Sequence, residues 1–174
     1  MAKREPDVII GSFAADHVIP DSDAFQTCVR EAIEVAATGK IVTIGITPTA
    51  PSVAFGYIKT GDALEVAGAP HARSVVAFIE KPKMATARKY VESGRYLWNA
   101  GMFIAPASLL LEQLAKTEPE LHSQLMAIAD AWDGMYRESV MHKVWPTLKK
   151  IAIDYSIAEP AAEAGLVAVI PGQF

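Results

Sequence analysis

Four places in this 174-residue chain put polar or charged side chains where a ligand could meet them. In the first, the apolar run Val75-Val76-Ala77-Phe78-Ile79 ends abruptly in Glu80-Lys81-Pro82. Two opposite charges stand where a buried strand leaves the core, and Pro82, lacking an N–H, stops the ladder. In the second, Asn99 follows Trp98 and precedes Gly101 inside an apolar stretch, a pattern that suits close approach of backbone to a ligand. In the third, Asp16 follows the apolar Val8-Ile9-Ile10 and the small Ala14-Ala15. Ligands of open α/β sheets lie beyond the carboxyl ends of strands, and a carboxylate there suits a hard cation such as Mg²⁺, which is held by one or two carboxylates plus phosphates. In the fourth, Asp154 sits between Ile153 and Tyr155, so it is either buried with a hydrogen-bonding partner or turned into a cleft. The first and third have plainer readings: solvated strand ends for Glu80 and Lys81, and a turn aspartate bonding its own backbone for Asp16. His17 has no second histidine at metal spacing and reads as a packing or orienting residue.

The elements that must hold these residues alternate between strands and helices. Asp7 to Gly11 reads as a short buried strand. Asp21-Ser22-Asp23 opens a helix, with Asp23 and Gln26 as a capping box. Phe25, Cys28, Val29, Ala32, Ile33 and Ala36 form its apolar stripe, and Gly39 closes it. Cys28 lies on that stripe and reads as core rather than nucleophile. Ile41 to Ile46 is almost continuously apolar, as in a parallel strand covered on both faces. Strand, helix and strand in this order predict a βαβ unit. A hairpin-like excursion starts at Phe55-Gly56-Tyr57 and turns at Thr60-Gly61-Asp62. A short helix with Ala87, Tyr90 and Val91 on one face ends at Gly94. Helices start near Pro106 and Pro119, and a third carries Tyr136, Val140 and Met141; their aromatics and methionines read as core. Ile151 to Tyr155 reads as a brief strand or turn, and Leu166 to Ile170 as a last buried strand.

Composition narrows the function classes. Hydrophobic residues make up 51% of the chain and charged residues 21%, which describes a globular domain. The net charge of −4 with no basic cluster argues against a nucleic-acid surface. No apolar run reaches membrane-spanning length, and Met1 to Pro6 lacks the apolar region of a signal peptide. With the single Cys28, this predicts a cytoplasmic protein.

Phe78-Ile79-Glu80-Lys81-Pro82 and Trp98-Asn99-Ala100-Gly101-Met102-Phe103 resemble signature motifs of the mannose-1-phosphate guanylyltransferases, a family of sugar-nucleotide pyrophosphorylases. Ala15-Asp16-His17, Gly45 to Thr49 with Gly56-Tyr57-Ile58, and Ile153-Asp154-Tyr155 with Glu159 agree in the same order. The resemblance implies a three-layer α/β/α nucleotide-diphospho-sugar transferase fold of Rossmann-like type. It implies a reaction of GTP with mannose-1-phosphate giving GDP-mannose and pyrophosphate, with Mg²⁺ as cofactor. Asp16 would bind the metal, Lys81 the sugar phosphate, and Glu80 and Asn99 the sugar hydroxyls. Gly56 would offer backbone, and Asp154 would join the substrate-binding set. Ser52-Val53-Ala54-Phe55 departs from the family pattern, where a glutamate and a Gly-Tyr pair stand.

The family also carries a glycine-rich loop with an arginine and a lysine that cradles the triphosphate, and a second metal-binding aspartate in a tryptophan-rich motif. The 11 glycines here form no such loop. Residues 1–174 therefore read as a single partial domain, truncated at both ends, that by itself would not turn over. A pyrophosphorylase for another nucleotide sugar, or a non-catalytic sugar-phosphate-binding domain, stands as the alternative. A homo-oligomer is left open.

Overall fold

The computed structural model describes residues 3–5, 7–172 and 174. The N-terminal reading falls partly on Met1, Ala2 and Pro6, which lie outside them. Among the described residues no helix is long and apolar enough to cross a membrane.

One long strand, β5 (Tyr96–Pro106), sets the topology. It runs antiparallel to β1 (Ile9–Ser12), with Ile9 opposite Pro106, and to β2 (Ile41–Ile46), with Val42 opposite Ile104. Its first residues also pair with β3 (Tyr57–Ala63), placing Tyr57 opposite Trp98. β2 runs parallel to β6 (Val167–Gly172) along its whole length. β4 (Arg73–Ile79) pairs antiparallel with both β6 and β3, so the order is β1-β5-β2-β6-β4-β3. The predicted βαβ unit is thereby modified. β1 and β2 share a direction across α1 (Ser22–Ala36), but β5 lies between them. Sequence periodicity identifies strands without saying which later strand will insert.

Alternation along the strands divides the core into two clusters. Ile41, Phe103, Ala105, Val167 and Val169 pack with α3 (Ala107–Thr117), a π-helical turn (Asp154–Ala158) and α6 (Glu159–Glu163), through Leu114, Ile157 and Ala161. Val42, Ile44, Ile104, Ala168 and Ile170 pack instead with α1, through Cys28, Ala32, Val35 and Ala36. Ile41, Ile44 and Ile170 are essentially inaccessible, and each such side chain contributes about 1.5–3 kcal/mol on burial.

Several local expectations are corrected. The N-cap of α1 is Asp21, whose carboxylate accepts from the Ala24 N–H at 2.9 Å, rather than a box built on Asp23. Ile33 of its predicted stripe is exposed. The hairpin does not turn at Thr60-Gly61-Asp62. A register shift lets β3 run on to Ala63, and the return is closed by the Leu64 N–H bonding Ala72 O at 2.8 Å. β4 is covered on one face only, leaving Val76 exposed. Ile151 to Tyr155 leads into the π-helical turn rather than forming a strand. The aromatics after α4 (Pro119–Ala131) are not core: Trp132, Met135, Tyr136 and Trp145 are all exposed around α5 (Arg137–Val144). Helical spacing reports a face, whereas burial needs a second layer over that face. The helix α2 (Met84–Ser93) matches its reading, with Ala87 buried and Gly94 in the left-handed conformation past its end.

Candidate functional site

β4 and β5 deliver their polar ends to one place. Glu80 and Lys81 follow the last residue of β4, and Asn99 lies early in β5. The π-helical turn brings Asp154, the loop before β3 brings Gly56, and the segment before α1 brings Asp16. All six predicted site residues line a single cleft of about 580 Å³, with His17, Phe55, Trp98 and Gly101 also in its wall.

Its floor is a chain of hydrogen bonds through Asn99. The Thr43 hydroxyl, wholly buried in β2, donates to Asn99 Oδ1 at 2.8 Å, and the Gly101 N–H donates to the same oxygen at 3.2 Å. Asn99 Nδ2 then donates to Asp154 Oδ1 at 3.0 Å. The carboxamide is oriented unambiguously, since its oxygen takes two donors and its nitrogen faces a carboxylate. One Nδ2 hydrogen and one Asp154 oxygen remain without a partner among the described residues. The Asn99 backbone N–H bonds Gly56 O at 2.8 Å, tying the glycine loop to the same floor. Thr43 was not among the sequence candidates; its only signal was a lone hydroxyl in the apolar run Ile41 to Ile46.

Glu80 forms the opposite side. Its side chain is 9% exposed, and Lys81 Nζ lies 3.3 Å from Oε1. Its backbone N–H donates to Glu159 Oε1 at 3.1 Å, a second partner that sequence reasoning did not assign. Burial, then the charge of Asp154, push the Glu80 carboxyl above its usual range; Lys81 opposes this and Glu159 adds to it. A Cβ on Gly56 would run into Glu80 Oε2 and lie 3.4 Å from Asn99 Cβ, so a glycine lets that backbone close over the pair with the Glu80 carboxylate left in place. Lys81 has φ +47, the only non-glycine in the left-handed region among the described residues, at a cost on the order of 1–2 kcal/mol. Strain of this kind clusters at ligand sites.

Asp16 is exposed at the cleft and makes no side-chain hydrogen bond or ion pair with another described residue, so both its oxygens are uncommitted. No three His, Cys, Asp or Glu side chains group to hold a metal among the described residues. One free carboxylate fits an ion completed by phosphates and water, not a closed protein cage. The cleft thus places an uncommitted carboxylate, a largely exposed ammonium and a fixed set of amide and carboxylate groups around one space. That set suits a polyhydroxylated, phosphorylated ligand.

Known proteins resemble this chain over most of its length. The nucleotidyl transferase family model matches residues 1–146. The chain is 40% identical over 162 residues to the xanthan biosynthesis protein XanB of Xanthomonas campestris pv. campestris, covering 91% of this chain and 33% of that protein. It is 37% identical over 175 residues to a mannose-1-phosphate guanylyltransferase of Escherichia coli, covering 98% of this chain and 37% of the enzyme. A crystal structure described as mannose-1-phosphate geranyltransferase from Thermus thermophilus superposes with a TM-score of 0.81 at 29% identity, over 99% of this chain and 47% of that one. A mannose-6-phosphate isomerase structure from Helicobacter pylori, 23% identical with a TM-score of 0.74, shares the fold. The chain spans about a third of the length of the curated relatives it matches. With its α/β sheet, its cleft at the strand ends and this match, the chain belongs to the nucleotidyl transferase family.

Proposed function

We propose that this chain is the sugar-phosphate side of a mannose-1-phosphate guanylyltransferase. In the reaction, a phosphate oxygen of mannose-1-phosphate attacks the α-phosphate of GTP. The new P–O bond forms as the α–β bridge breaks, and pyrophosphate leaves with the electron pair. The observation that carries the reading is the convergence of Asp16, Gly56, Glu80, Lys81, Asn99 and Asp154, from distant parts of the chain, on one cleft. Lys81 would grip the sugar phosphate as a mobile point charge. Glu80 and the free Nδ2 hydrogen of Asn99 would hold sugar hydroxyls, with Gly56 bringing its backbone close. Asp154 would fix Asn99 and offer its second oxygen to the sugar.

Asp16 is the residue that would hold Mg²⁺, which when bound offsets phosphate charge. Catalysis of this kind is positioning and electrostatics, with no protein nucleophile. We further read residues 1–174 as one partial domain of a three-layer α/β/α nucleotide-sugar transferase, working in the cytoplasm. The glycine-rich triphosphate loop is not found in this sequence, so the chain alone should bind mannose-1-phosphate without turning it over.

Titration of the chain with mannose-1-phosphate, beside a coupled pyrophosphate-release assay with GTP and Mg²⁺, tests both halves. Saturable binding with no pyrophosphate supports the reading. Turnover by the chain alone would mean that another element replaces the loop. No preference for mannose-1-phosphate over other hexose 1-phosphates would move the assignment to a different nucleotide sugar.

A further inference from the structure

Trp98 carries a donor that the protein does not use. Its indole Nε1 is buried and has no hydrogen-bond partner among the described residues. A buried N–H left unpaired costs on folding, and such groups are rare unless a ligand completes them. Trp98 also lines the candidate cleft, next to Asn99. Its backbone is held on both sides, opposite Ile46 of β2 and opposite Tyr57 of β3, so the indole is mounted on a braced part of β5.

What packs on it is far less braced. The Phe55 ring lies 4.8 Å from the Trp98 ring, tilted by 53°, and is 45% exposed. Residues 47–55 make no backbone–backbone hydrogen bond among the described residues. Their loop is pinned instead through Ser52. The Tyr57 hydroxyl accepts from the Ser52 N–H at 3.0 Å and donates to Ser52 O at 3.1 Å, while Ser52 Oγ accepts from the Ala54 N–H at 3.1 Å. Phe55 sits between those anchors and Gly56, whose carbonyl accepts from the Asn99 N–H, so its half-exposed ring can rotate off the indole while the backbone on either side stays held.

We propose that Trp98 is a ligand-binding residue: Phe55 moves off the indole when a sugar phosphate enters, and Trp98 Nε1–H then donates to one of its oxygens. This rests on the sugar-phosphate reading of the cleft. A rigid, unpaired donor in a water-poor wall adds discrimination at little ordering cost, because the group loses no solvent partner when the ligand arrives.

The test is titration of the full chain with mannose-1-phosphate, followed by ¹H–¹⁵N resonances. Trp132→Phe and Trp145→Phe are introduced so that a single indole signal remains. The Trp98 indole proton is expected to move downfield and to gain protection from solvent exchange as the ligand saturates. Trp98→Phe keeps a ring against Phe55 but removes the donor, and should weaken binding about tenfold, the scale of one hydrogen bond to a charged acceptor. Phe55→Ala uncovers the indole and should leave affinity equal or tighter. If Asn99 and Gly101 resonances respond but the indole does not, and Trp98→Phe binds normally, the Trp98 assignment is overturned and the sugar-phosphate cleft stands. If no cleft resonance responds, both are overturned.

Discussion

Replacing Gly56 by alanine separates packing in this cleft from its use. Gly56 lies outside the left-handed region, so alanine is compatible with its backbone, and the stiffer unfolded chain gains the folded state about 0.4–1 kcal/mol. Against this, the new Cβ occupies the position of Glu80 Oε2, while Asn99 Cβ at 3.4 Å is an ordinary contact. The Glu80 carboxylate is the end of a side chain, and it can rotate away at an off-rotamer cost of about 0.5–1.5 kcal/mol. Its 3.3 Å pairing with the largely exposed Lys81 adds little to stability. These terms nearly cancel. The melting temperature of Gly56→Ala should therefore stay within about 4 °C of the parent for a chain of this size. Mannose-1-phosphate affinity should fall about tenfold or more, because the displaced carboxylate is one that would bond the sugar. Gly165→Ala is the contrast. With φ +69 and no atom within 4 Å of the added Cβ, it should cost about 1–2 kcal/mol of stability through backbone strain and leave binding unchanged. Calorimetric melts and ligand titration of both variants decide the matter. Unchanged affinity in Gly56→Ala would refute the placement of Glu80 against the sugar, and a collapse in stability would refute the claim that its carboxylate can yield.

Thr43→Val keeps volume but removes the donor to Asn99 Oδ1, leaving that oxygen the Gly101 N–H; a loss of about 1 kcal/mol is expected, with weaker sugar-phosphate binding and partial recovery in Thr43→Ser. Because the folded protein holds the Glu80 carboxyl above its usual range, the unfolded chain releases this proton first, so this group's contribution falls as pH rises through the ordinary carboxylate range and levels off above the raised pKa. Glu80→Gln should therefore melt higher than the parent at neutral pH, with the difference vanishing in acid; equal curves at neutral pH would contradict the burial argument. In the chain joined to the segments that its longer relatives carry, Asp16→Asn should lower kcat by about 10² at ordinary Mg²⁺, as when one electrostatic stabiliser is lost. In the same protein, Lys81→Ala should mainly raise the KM for sugar phosphate, leaving that for GTP unchanged. Near-normal kcat in the first, or an unchanged sugar-phosphate KM in the second, removes the corresponding role.

The candidate cleft residues were legible in the sequence through two signals together: most break a local pattern, and all fall in motifs that resemble those of the guanylyltransferases. Glu80 and Lys81 end an apolar run, Asn99 and Asp154 interrupt apolar ones, and Asp16 follows a short strand; all line the same cleft. Helix α1, strand β2 and the glycine end of α2 were legible because 3.6- and 2-residue periods are written in neighbouring positions. What supports those residues was not legible. Thr43 meets Asn99 across 56 positions, and Glu159 meets Glu80 across 79, through a sheet in which β5 inserts between β1 and β2. Nor could spacing alone separate the buried stripe of α1 from the exposed aromatics around α5, which share helical periodicity but not a covering layer. Side-chain type and short-range spacing determined which groups could do chemistry. Long-range strand register decided which of them are fixed, which are buried enough to have their charge disfavoured, and which face the same space, because those properties belong to packed neighbours and not to the chain itself.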